Sequence, residues 1–167
     1  LTFLILILSF QSWIKADDIS EFEIEGISIG DSLLDHFDKN NIEKEISSEF
    51  SRKYKNKFIG LGVGQTKEFP LFKKLDQFDE LSITIKPNDK NYIIHGLSGE
   101  ILCFNNIDKC MSSRDQIIKD LTNVFDGVEI ESWERKHPSD KTGKSIVYGN
   151  NLKASNLNFN ISVSVYD

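Results

Sequence analysis

The sequence predicts an α+β fold, an antiparallel sheet of five or six strands with two main helices on one face. Three observations predict it. Two stretches repeat apolar residues at helical spacing, and several others alternate apolar and polar residues with the period of two that a half-buried strand requires. The strand-like stretches also follow one another through short turns instead of alternating with helices, which favours antiparallel pairing. At 167 residues, 39% hydrophobic and 28% charged, the chain has the composition of an ordinary globular protein.

Residues 1–16 read as a signal peptide. Leu1 to Phe10 is almost wholly apolar, too short to cross a bilayer core of about 30 Å as a helix but suited to the apolar centre of an export signal. Ala16 supplies the small residue at the cleavage point, and Asp17-Asp18 suits a mature N-terminus. With Leu first and no basic n-region, the signal is expected to be truncated at its start. Residues 17–167 then form a single globular domain, and loss of Lys15 takes the formal charge from -6 to -7. No cysteine lies near the cleavage point to accept a lipid, and the mature chain holds no transmembrane segment.

The first helix is expected where Ile42, Ile46, Phe50 and Tyr54 recur every fourth residue, with Asn41 as its cap. Glu80 to Lys86 alternates, Pro87 to Lys90 turns, and Asn91 to Cys103 returns, which predicts a hairpin. The second helix is expected from Ser113 to Phe125, with Ser113 and Gln116 at capping-box spacing and Gly127 just past its end. Val128 to Glu134 alternates again, 137–144 reads as a polar loop, and Ser145 to Leu152 with Leu157 to Tyr166 reads as a terminal hairpin. In that hairpin Leu157, Phe159, Ile161, Val163 and Val165 share one face. A helix followed by strands thus occurs twice, which is read as an architectural pseudo-repeat without residue-level identity.

Export changes how the two cysteines read. In an oxidising compartment Cys103 and Cys110 are expected to form a disulfide that staples a strand end to a helix start. A loop that short would contribute about 2 to 3 kcal/mol through chain entropy. The spacing matches neither a C-x-x-C redox pair nor a zinc knuckle.

Gly30-Asp31-Ser32-Leu33 spells the signature of GDSL esterases and, with the apolar stretch before it, resembles that family over residues 24–33. The resemblance implies Ser32 as nucleophile and, as the best available base, His137. It departs from the family pattern elsewhere. The family's G-x-N-D block precedes its late D-x-x-H, whereas here Gly149-Asn150 follows His137-Pro138 and Glu134 stands where that aspartate belongs. Acyl transfer needs the base and the oxyanion donors as much as the serine. The motif is therefore taken as a chance match, and the same letters as a helix start in which Asp31 or Ser32 caps and Leu33, Leu34 and Phe37 face inward.

Gly26 to Leu33 is also similar to the helix start of SmpA/OmlA-like envelope domains, though without that family's lipidated cysteine. That resemblance implies a small domain that binds other envelope proteins. With 21 Ile, 17 Lys and 13 Asn against two Ala and three Arg, the chain further resembles uncharacterised small secreted proteins of low-GC bacteria.

His36, His95 and His137 fall at no metal-ligand spacing, so no metal and no cofactor is expected. Gly60 to Gly64 lacks the Lys-Ser/Thr of a phosphate loop and reads as a flexible loop or strand bend, and Trp133 reads as core. An acidic chain lacks the clustered cations that a grip on nucleic acid requires. Function is expected in a non-catalytic binding or structural module, exported to the periplasm or beyond, whose partner is another envelope protein or a small ligand. A Ser32 esterase and a small-ligand or lipid carrier are the alternatives. The candidate binding surface is the loop bearing His137, Ser139, Asp140, Lys141 and Lys144.

Overall fold

A computed structural model describes residues 23–48, 51–64, 75–103, 106–154 and 161–166. The predicted signal peptide, Phe50, Leu157 and Phe159 lie outside the described residues. The fold is α+β, and the described residues form two α-helices and three antiparallel sheets of two, four and three strands. Where the sequence predicts one sheet of five or six strands, the described strands divide among three. Alternation reports that a strand has one buried face, but it carries no information on which strand lies beside it.

The chain first makes a small hairpin, β1 (Glu23–Ile24) and β2 (Ile27–Ser28). Its turn is Glu25-Gly26, both at positive φ (54° and 77°), as a two-residue hairpin turn twisted like its strands demands. Gly30-Asp31 leads into a 3₁₀ turn, Leu33–Asp35, and then α1 (Lys39–Ile46).

Helix α1 ends at Ile46 rather than running on to Tyr54, and Asn41 lies inside it while Asp38 occupies the N-cap position. The reason is a run of serines. Ser47 Oγ donates to the carbonyls of Glu43 (2.9 Å) and Lys44 (3.0 Å), and Ser51 Oγ donates to those of Ile46 (2.9 Å) and Ser48 (3.0 Å). The Glu43 carbonyl already accepts the Ser47 N–H, but those of Lys44, Ile46 and Ser48 are ones that another helical turn would have bonded, and the hydroxyls satisfy them instead.

Strands β3 (Arg52–Tyr54), β4 (Phe58–Gly64), β5 (Glu80–Ile85) and β6 (Ile94–Glu100) pair in sequence order as a meander. The stretch Gly60 to Gly64, expected as a loop or bend, is a paired strand within this sheet. The Tyr54 ring lies over Gly60, where a Cβ would sit 2.9 Å from Cε2. Glycine there leaves room for an aromatic ring. The predicted 80–103 hairpin forms, with Leu81, Ile83 and Ile85 buried on one face, and Asp89 holds its tip by accepting the N–H groups of Asn91 and Ile93, both at 3.0 Å. Ile27, Leu33, Ile42, Ile59, Leu61, Leu75 and Ile94 complete the first core among the described residues.

Helix α2 (Ile107–Val124) starts six residues before the predicted Ser113. Its cap is Asn106, whose side chain accepts the Lys109 N–H at 3.0 Å, and Ser113 lies in the helix interior. Ile107, Cys110 and Met111 already hold the helical period in its first turns, and Ser113 with Gln116 is a capping-box spacing that the helix interior does not use. Gly127 has φ 65°, the left-handed conformation expected just past the helix. Cys103 and Cys110 form the predicted disulfide (Cα–Cα 5.7 Å), tying the chain after β6 to the first turn of α2.

The third sheet orders β7 (Val128–Lys136), β8 (Ile146–Ala154) and β9 (Ile161–Tyr166) as a second meander. Leu121 and Phe125 of α2 pack with Leu152, Val128, Ile161 and Val163, a second core distinct from the first. No helix among the described residues is long and apolar enough to cross a membrane.

Candidate functional site

The G-D-S-L segment is hydrogen-bonded along its whole length, and its Leu33 packs in the first core. Gly30, at φ 100°, donates its N–H to the Ile94 carbonyl at 2.9 Å, and Ile94 returns its N–H to the Asp31 carbonyl at 2.9 Å. Asp31 Oδ2 accepts the Ser28 N–H (2.9 Å) and lies 3.1 Å from His36 Nε2. Ser32 Oγ donates to the Asn91 carbonyl at 2.6 Å and accepts the Leu34 N–H at 3.2 Å. Leu33 is completely buried, and its N–H donates to the Tyr92 carbonyl at 3.1 Å.

Each of the four residues thus has a role in joining the 3₁₀ turn to the tip of the β5–β6 hairpin. A peptide carbonyl is far too weak a base to take the proton that Ser32 donates to it. His137, the other residue of the esterase alternative, sits in the β7–β8 connection. Its Nδ1 lies 3.2 Å from the Ser139 N–H, which donates to it, and its ring meets the edge of Tyr166 at 5.5 Å between centroids. Among the hydrogen bonds and ring contacts of the described residues, none joins Ser32 to His137.

The predicted binding loop forms as a structured connection between β7 and β8. Asp140 organises it. Its carboxylate accepts the N–H groups of Thr142 (2.8 Å), Lys144 (2.9 Å) and Ser145 (2.8 Å), and Thr142 Oγ1 at 2.7 Å. The Ser145 N–H first, then Thr142, hold this carboxyl far below the usual carboxylate range. Gly143 takes φ 68°, and the His137 N–H donates to the Ser145 carbonyl at 2.9 Å, closing the loop at its base. Ser139, Lys141 and Lys144 are exposed, whereas His137 and Asp140 are half-buried.

A second feature adjoins the loop, on the sheet face opposite α2. Strand register places Arg135, Val147 and Tyr166 in one cross-strand row and Trp133, Gly149 and Ser164 in the next. Leu152 and Ile161, which pack against α2, lie in a row of the other face. Trp133, expected in the core, therefore lies on the face away from the helix.

Its indole covers Gly149 so closely that a Cβ there would overlap Cζ2, and its Nε1 donates to Asn151 Oδ1 at 3.2 Å. The Arg135 guanidinium stacks on the indole at 4.5 Å. Tyr166, 60% exposed, contacts His137. Sequence reasoning passed over Arg135 and Tyr166. Alternation could have placed them on strands, but only the register brings them to one row.

His36, His95 and His137 remain apart in role, contacting Asp31, Phe58 and Tyr166 respectively. Among the described residues no group of three His, Cys, Asp or Glu could hold a metal ion. No family model matches the chain, and neither does a curated protein or a solved structure.

Proposed function

We propose that the chain is an exported, non-catalytic binding or structural module of the cell envelope, whose contact surface is the end of the β7–β8 hairpin. The observation that carries this reading is the Asp140-centred loop. A connection fixed by its own backbone bonds presents exposed polar side chains at low entropic cost, as a recognition loop must. The disulfide is in keeping with an oxidising compartment. The order of α1 before one meander and α2 before another supports a tandem pseudo-repeat, two helix-and-sheet units of similar plan. The partner in this reading is another envelope protein.

Hydrolysis of short acyl esters by the purified protein and by Ser32→Ala tests it. Equal, buffer-level rates are expected. Abolition of a genuine esterase activity by Ser32→Ala would transfer the function to the G-D-S-L segment and sink the module reading.

A further inference from the structure

Building on the module reading, we infer that the face bearing Arg135 and Tyr166, together with the basic end of the β7–β8 hairpin, docks an acidic segment of a partner polypeptide, with Arg135 as its anchor. The charge distribution is the first support. The hairpin end carries Arg135, Lys136, Lys141 and Lys144 against Glu134 and Asp140 in a chain of net charge -6, and by register Lys136 and Glu134 fall together on the α2 side of the sheet, which leaves Arg135 and the loop lysines to the other. The Asp140 oxygens are turned onto Thr142, Lys144 and Ser145. The hairpin end is therefore locally cationic on an acidic protein.

The second support is preorganisation. The Arg135 guanidinium carbon lies over the Trp133 ring at 4.5 Å, and Gly149 and Asn151 hold Trp133 in turn. A guanidinium resting on an aromatic ring gives up less side-chain freedom when its paired N–H groups meet a carboxylate. Across Val147 in the same row, the exposed Tyr166 ring adds apolar contact and a hydroxyl. Trp, Tyr and Arg are the residue types that concentrate binding energy in protein interfaces.

The same face limits what can dock. Glu129 and Glu131 share it with Arg135, and Glu131 is tied to Lys153 at 2.6 Å. An anionic membrane or a long polyanion would bring its charge against these glutamates as well. A short acidic peptide lying at the hairpin end would not.

The test is an NMR titration of the full chain with an acetylated hexapeptide of alternating Asp and Glu, followed at the Trp133 indole and at the amides of residues 135–145. Saturable shifts are expected with wild type and with Lys57→Gln, a surface cation on the other sheet. Arg135→Gln is expected to weaken binding about tenfold or more, and Arg135→Lys nearly as much, because lysine keeps the charge but not the stacked fork. An uncharged Asn/Gln hexapeptide should cause no shift.

Unchanged affinity in Arg135→Gln would overturn the inference, provided its thermal unfolding matches wild type. So would equal or tighter binding to phosphatidylglycerol vesicles or inorganic polyphosphate. Absence of any peptide-dependent shift would also overturn it, yet would leave the module reading to the ester-hydrolysis result.

Discussion

Ser32 gives its hydroxyl proton to the Asn91 carbonyl and takes the Leu34 N–H, so its replacement should be felt at a helix start. Ser32→Ala is expected to cost about 0.5–2 kcal/mol, the usual range for a lost cap, read as a lower urea midpoint. Glu45 presents a different case. It is 2% exposed in α1, and its carboxyl accepts a hydrogen bond from Ser48 Oγ at 3.4 Å. Burial raises its carboxyl above the ordinary value. The fold thus favours its neutral form. That contribution is complete below the unfolded pKa of about 4.3 and is lost as pH rises through the raised folded value. Glu45→Gln should accordingly raise the urea midpoint at neutral pH and leave it nearly unchanged near pH 4. A midpoint unaffected at neutral pH would mean that ionised Glu45 carries no penalty.

At the scale of elements, legibility followed how local the signal was. The 80–100 hairpin was readable because Leu81, Ile83 and Ile85 alternate and Pro87 to Asp89 turns, all within a few residues. The end of α1 was misjudged because the every-fourth spacing continues past it while the stop signal is polar, in Ser47 and Ser51. The start of α2 lies ahead of Ser113 because Asn106 caps it, with Ile107, Cys110 and Met111 already in helical period, while Ser113 and Gln116 offer a competing capping-box spacing. The polar loop was legible, and the Arg135–Trp133 stack was not, because it depends on Gly149 lying opposite Trp133 in the β7–β8 register.

Two predictions belong at this scale. Gly149→Ala should displace the indole and destabilise the protein by about 1–3 kcal/mol, an overpacking cost seen in thermal unfolding and in Trp133 emission. Asp140→Ala should leave the strands intact but speed hydrogen exchange at the Thr142, Lys144 and Ser145 amides that it now holds. Because its folded pKa is depressed, wild type should approach that behaviour only as pH falls well below the ordinary aspartate value of about 3.9.

For the whole molecule, two cores replace the single sheet expected from sequence. The first lies under β4 to β6 and the second between α2 and the third sheet. Leu121→Ala, which empties part of the second core, should cost about 2–5 kcal/mol and lower amide protection across β7 to β9 more than across β4 to β6. Uniform loss of protection would show instead that both cores unfold as one unit. Leu33 of the G-D-S-L segment packs in the first core and the cationic hairpin end lies on the third sheet, so in the proposed reading the segment that spells an enzyme serves the fold. Intact-mass analysis after treatment with a fluorophosphonate, which modifies activated serines, tests that claim most directly. The account predicts no adduct on Ser32, while stoichiometric modification there, abolished in Ser32→Ala, would contradict it.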